Sequence, residues 1–145
     1  MKPNHDFTSK LKQAGIRVTP QRMAIYSLLM DYKNHPTAFM IYEQIRENFP
    51  SISLMTVYNT LNMLADRGLI NVLGHAGDDS VHYDADIEPH VNLACISCHN
   101  IVDINSKYVN QMTNEINSTS GYQLFGARVL FYGNCPACQN QSRSH

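Results

Sequence analysis

The sequence predicts an α+β chain in two parts, a helical first half and a second half of short strands around one helix. Three observations carry that reading. Hydroxyl residues stand just before three apolar-periodic runs within the first 70 residues. Two β-type runs then flank a polar, glycine-bearing tip. All four cysteines fall in two Cys-x-x-Cys pairs, Cys95/Cys98 and Cys135/Cys138, which frame the second half.

Thr19-Pro20 opens the first helix. The threonine hydroxyl can cap a free backbone N–H, and proline suits the first helical position, where its missing N–H is not needed. The run from Gln21 to Met30 has apolar residues spaced to face a core. His35-Pro36 breaks the chain, and Thr37 caps a second helix over 38–47. Pro50 marks the next stop. Ser53 caps a third helix reaching Arg67, with Gly68 as its C-terminal stop. Residues 69–73 and 80–84 read as a hairpin whose tip is 74–79. Three helices followed by a hairpin make a winged helix-turn-helix, placed over 1–84. The remainder, 85–145, reads as strands over 91–95 and 101–104, a helix over 108–118 and a strand over 129–132. His5 belongs to an N-terminal arm, and 139–145 form a polar tail.

The chain has 145 residues and a net charge of −1. The charge is unevenly placed. Residues 1–70 hold eight Lys/Arg against five Asp/Glu, and residues 71–145 hold three against seven. A basic half suits a polyanion and an acidic, His/Cys-bearing half suits cations. There is no secretory h-region and no apolar run of membrane-spanning length, so the expected location is cytoplasmic, without a membrane partner. Thiols stay reduced there, which favours metal ligation over disulfides.

Two Cys-x-x-Cys turns can wrap one ion as a closed tetrahedral thiolate site. Zinc is the usual occupant, and four thiolates leave no open position for a substrate. Cys95, Cys98, Cys135 and Cys138 are therefore expected to hold a structural zinc. On the Ser53-capped helix, Val57, Leu61 and Leu64 fall on one side at 100° per residue. Met55, Thr56, Tyr58, Asn59, Asn62 and Met63 fall on the other. Amides and hydroxyls meet base edges in a major groove, and apolar groups meet thymine methyls. With no Lys or Arg on that face, an A/T-rich site is expected. Lys10, Lys12, Arg17, Arg22 and the wing would supply phosphate contacts.

These residues carry a resemblance. Gly15-Ile-Arg-Val-Thr-Pro-Gln-Arg22, His35-Pro-Thr-Ala38 with Ile41-Tyr42, Ser53–Leu61, His90–Cys98 and Tyr132–Cys138 resemble the motifs of the ferric uptake regulator (Fur) family, in order and over most of the chain. The resemblance implies a homodimeric, metal-activated repressor of a double-stranded, palindromic DNA operator. Its winged-helix domain is followed by an α/β dimerisation domain with the four-cysteine zinc site. It also implies a second, regulatory metal, with His35, Asp84, His90, Asn92 and Asp103 at the matching positions. Imidazole and carboxylate suit Fe2+ or Mn2+. Iron-sensing members typically have glutamate at the two acid positions and peroxide-sensing (PerR) members aspartate. Asp84 and Asp103 are both aspartate, so the chain is most like the peroxide regulators, in which iron at the site leads to oxidation of His35 or His90. Asn92 departs from the family's H-x-H pair. Its amide oxygen is harder and weaker than imidazole: Asn92 either ligates, leaves the place to water or only supports another ligand, and the change either favours manganese over iron or weakens the peroxide response. The alternative expectation is an iron-, manganese- or zinc-responsive uptake repressor without peroxide sensing.

Other readings have less behind them. Cys95-Ile-Ser-Cys98-His99 also spells a haem-attachment motif, which requires export. No H-E-x-x-H, phosphate loop or Ser/His/Asp constellation is present, so no catalytic residue is assigned and an enzyme is not expected. A zinc-stapled interaction module leaves the recognition-type helix unexplained. His75, at the tip, and His82, on the wing, read as solvent or packing residues.

Overall fold

The computed structural model describes residues 5–32, 35–75, 80–124 and 127–142. The elements run α1 (His5–Gln13), α2 (Pro20–Asp31), α3 (Ala38–Ile45), α4 (Leu54–Asp66), β1 (Asn71–His75), β2 (Val81–Asp84), β3 (Val91–Cys95), β4 (Ile101–Ile104), α5 (Lys107–Ser120), β5 (Val129–Gly133) and α6 (Pro136–Ser142). They form two compact units. One is Met1–Val72 with Tyr83–Asp86, and the other is Leu73–His82 with Ile87–His145.

The first unit is built by apolar packing. Thr19, Thr37 and Ser53 cap α2, α3 and α4, each side-chain oxygen accepting from the backbone N–H three residues on, at 3.2, 3.2 and 3.0 Å. Each cap satisfies a helical N–H that would otherwise be open and contributes about 1 kcal/mol. Ile25, Leu29, Ile41, Val57, Leu61 and Leu64 meet in one core. Helix α4 ends as Gly68 implies. Gly68 has φ +74°, its N–H donates to Ala65, and the Leu69 N–H donates to Leu64 at 2.9 Å.

Two elements differ from the sequence expectation here. His5 opens α1 and does not lie on a loose arm. Phe7 and Leu11, four residues apart, place one face of that short helix in the core, and Phe7 meets Tyr26 edge-on at 5.3 Å. The hairpin's first strand begins at Asn71 and not at Leu69. Leu69 is used by the α4 terminus and Ile70 by the core. β1 and β2 still pair as a two-stranded wing, and the innermost tip, 76–79, lies outside the described residues.

The second unit carries a three-stranded sheet in the order β4-β3-β5. β3 pairs antiparallel with β4 and parallel with β5, and α5 makes the crossover between β4 and β5. Ser106 caps α5 and left-handed Gly121 ends it. The buried apolar cluster here is small: Leu73, Ala94 and Ile101, with Leu130 against them. Val102 and Phe131 on the sheet, and Tyr108, Met112 and Ile116 along α5, remain exposed. The predicted tail is instead helical as far as Ser142, because α6 carries the second cysteine turn onward; 143–145 lie outside the described residues.

Gly15 offers a direct check of the first unit. It has φ +74°, and a Cβ there would stand 2.7 Å from Arg67 Nη1, which donates to the Ala14 carbonyl at 2.6 Å. Gly15→Ala should lower stability by about 1–3 kcal/mol through left-handed strain and displacement of Arg67, read by urea unfolding.

Candidate metal centres and nucleic-acid interface

β3 and β5 run parallel, with Cys95 opposite Gly133, so the turns that follow them leave the same end of the sheet. The two cysteine pairs meet there. The Cys98 and Cys135 sulfurs are 3.9 Å apart, and all four Sγ atoms lie within 4.8 Å of one another. A tetrahedral site with metal–sulfur bonds of about 2.3 Å needs sulfurs about 3.8 Å apart. The turns are braced by Ile96 N–H donating to Gly133 at 2.9 Å and Ser97 Oγ donating to Asn134 Oδ1 at 2.8 Å. His99 takes the left-handed conformation, φ 64°, that brings its N–H back to the Cys95 carbonyl at 2.8 Å. Backbone N–H groups, that of Cys135 foremost, lower the Cys95 thiol to about 6. The Cys135 side chain is the chief cause that raises the Cys138 thiol to about 12. Four thiols so close cannot all ionise without a cation among them, so metal binding and proton release are coupled. The geometry and the soft donor set fit zinc.

In the first unit, the Tyr83 N–H donates to the Pro36 carbonyl at 2.9 Å, which draws β2 against the turn before α3. Their neighbours in sequence, His35 and Asp84, then meet: His35 Nε2 is 3.4 Å from Asp84 Oδ2, and both side chains are buried. The other carboxylate oxygen, Oδ1, accepts from the Asp86 N–H at 2.9 Å. The carboxylate is fixed in place and presents one oxygen beside an imidazole nitrogen.

In the second unit, His90 Nδ1 is 2.7 Å from the Glu88 carbonyl. A carbonyl only accepts, so Nδ1 carries a proton, and in the neutral ring Nε2 is then the nitrogen available to a metal. Nε2 lies 3.6 Å from Asp103 Oδ1, too far for a hydrogen bond. Asn92 is two residues from His90 and therefore on the same face, opposite Asp103 in the β3–β4 register. It is 2 % exposed, and its Oδ1 has no hydrogen-bond partner. An unsatisfied buried amide oxygen costs about 1–3 kcal/mol. One nitrogen and two oxygens on one sheet face fit a borderline or hard divalent ion.

On α4, Met55, Tyr58, Asn59 and Asn62 are exposed, while Val57, Thr60, Leu61 and Leu64 are buried. Thr60 satisfies its hydroxyl on the Thr56 carbonyl at 2.9 Å. Thr56 is half-buried, its hydroxyl 2.9 Å from that of Ser53. Met63, expected on the outer face, packs partly against the core. Lys12 and Arg17 are exposed, and Arg22 Nη1 donates to the Arg17 carbonyl at 2.8 Å. Arg22, Gln21, Thr56 and Asn59 line one open groove beside the recognition-type helix. Gln21 was not assigned from sequence, although its place in the first turn of α2 was legible. The anchors on His90 and Arg22 are backbone carbonyls, which no residue type announces.

The ferric uptake regulator family model matches residues 13–132, spanning both cysteine turns' strands, the β2 acid and the recognition-type helix. The chain belongs to the ferric uptake regulator family. A peroxide-responsive repressor, PerR, of Staphylococcus aureus is 35% identical over 133 residues, covering 92% of this chain and 89% of the relative. A solved PerR of Streptococcus pyogenes, described for peroxide sensing and gene regulation, is 34% identical with TM-score 0.54, covering 96% of this chain and 95% of that one. The Helicobacter pylori ferric uptake regulator shares the fold at TM-score 0.74 and 22% identity, with 95% of each chain covered.

The thiol cluster makes a direct prediction. The unsubstituted protein should purify with a tightly held divalent ion, and Cys98→Ser should purify without it and lose near-ultraviolet circular dichroism from its second unit. Metal content by plasma mass spectrometry checks the first point.

Proposed function

We propose that this chain is a metal-dependent, DNA-binding transcriptional repressor that senses peroxide through iron-catalysed oxidation of regulatory histidines. The observation that carries the reading is the pair of aspartates. Asp84 beside His35, and Asp103 beside His90, supply in each unit one imidazole and one carboxylate. Relatives with peroxide-responsive names support it.

In this reading Cys95, Cys98, Cys135 and Cys138 hold structural Zn2+. His35, Asp84, His90, Asn92 and Asp103 act together on one regulatory Fe2+ or Mn2+. Ligands drawn from both halves of the chain let the ion favour one arrangement of the two halves, the one that binds DNA. Bound iron(II) supplies the reduction of hydrogen peroxide. The residues do the rest: the carboxylates keep the site charged and oxygen-rich, and the Glu88 carbonyl holds His90 in its ligating tautomer. Addition of an oxygen atom to the His35 or His90 ring weakens it as a nitrogen donor, the ligand set fails and repression is lifted.

DNA contact falls to Met55, Thr56, Tyr58, Asn59 and Asn62 for bases, and to Lys12, Arg17 and Arg22 for phosphates. The uncharged face favours an A/T-rich operator. A homodimer would read a palindrome. The edge strand β5 and the exposed apolar residues Val102, Phe131, Tyr108, Met112 and Ile116 are the surface available to a second copy. The domain boundary is proposed at residue 84, and no catalytic activity is proposed. The location is proposed as cytoplasmic. A second reading, a metal-uptake repressor without peroxide sensing, is favoured by Asn92, which replaces a nitrogen donor with an oxygen.

Mass spectrometry separates the two readings. Iron-loaded protein treated with dilute hydrogen peroxide should gain the mass of one oxygen atom on the peptide bearing His35 or His90 and lose DNA binding; manganese-loaded protein should do neither. Unmodified peptides and intact DNA binding in the iron sample would establish the uptake repressor instead.

A further inference from the structure

Asn92 is buried, and its Oδ1 accepts no hydrogen bond. Native folds seldom leave such an oxygen unsatisfied unless a water or an ion serves it. The neighbours point to an ion. His90 lies on the same sheet face, its Nδ1 on the Glu88 carbonyl and its Nε2 turned toward Asp103 Oδ1 at 3.6 Å. Asp103 is directly across the β3–β4 ladder from Asn92. An imidazole nitrogen, a carboxylate oxygen and an unsatisfied buried amide oxygen on one face are a donor set for a cation.

Resting on the regulatory site proposed above, we propose that Asn92 Oδ1 is a direct metal ligand and that it biases this site toward Mn2+. A carbonyl oxygen suits manganese, whereas imidazole suits the later, more nitrogen-seeking ions. An asparagine in place of a histidine therefore removes more affinity for Co2+ or Zn2+ than for Mn2+. The amide adds no charge, so the site keeps the charge of its two aspartates. The same choice lowers iron occupancy when manganese is abundant, and with it the fraction of protein that peroxide can oxidise.

The test is equilibrium dialysis of the full-length, zinc-stapled protein against Mn2+ alone and Co2+ alone, with metal content read by plasma mass spectrometry. Asn92→Leu should weaken Mn2+ binding at least about tenfold. It should also raise the unfolding temperature of protein lacking the second ion, because an apolar group of similar size replaces the unsatisfied amide. Asn92→His should raise the ratio of Co2+ to Mn2+ affinity. Mn2+ binding lost in His90→Ala but unchanged in Asn92→Leu would remove Asn92 from the ligand set while leaving the regulatory site in place. Mn2+ binding unchanged in both variants would overturn that site and this inference together. An Asn92→Leu protein that loses both Mn2+ and thermal stability would make the residue structural and also overturn the inference.

Discussion

Four thiols held within 4.8 Å of one another are the constraint on which the second unit rests. Among the described residues that unit's buried apolar cluster is Leu73, Ala94 and Ile101, with Val91 and Val109 also buried, a small core for three strands and a long helix. A metal closing the two turns would tie the end of β3 to the end of β5. β3 is also the strand that continues from His90 and carries Asn92, and it pairs with the strand that carries Asp103. A metal on the thiols would thus fix the strand that carries the residues of the proposed second site. In the proposed reading the closed, soft site supports the fold and the mixed nitrogen/oxygen site responds.

The first unit divides the work differently. Its core is extensive. Packing of Val57, Leu61 and Leu64 sets the rotation of α4, and that rotation leaves Met55, Tyr58, Asn59 and Asn62 facing outward. The Pro36–Tyr83 backbone bond joins the wing to the turn before α3, and it also brings His35 and Asp84 together. His35 and Asp84 lie in the same compact unit as α4, so a metal held by this pair, as proposed, would act on the unit that carries the proposed DNA-reading helix.

Much of this was legible in the residues because its causes are local. A hydroxyl followed by a helical run marks a cap, and Thr19, Thr37 and Ser53 each cap as expected. The Cys-x-x-Cys spacing encodes a turn, and both pairs converge. Features set by tertiary packing were hidden. Among the described side chains of α1, Phe7 and Leu11 are the buried anchors of a polar stretch, and α6 is short and polar. Met63 turns inward where periodicity placed it outward. The orientation of His90 by a carbonyl, and the isolation of Asn92 Oδ1, depend on backbone placement that side-chain identity does not encode.

The proposed function requires a regulatory ion and DNA binding to be thermodynamically linked through this chain. Linkage is reciprocal, so the most direct test is the affinity for Mn2+ measured with and without a saturating DNA duplex, one selected from random sequence by the manganese-loaded protein. DNA should tighten Mn2+ binding by the same factor by which Mn2+ tightens DNA binding. Equal Mn2+ affinity in the presence and absence of that duplex would contradict it.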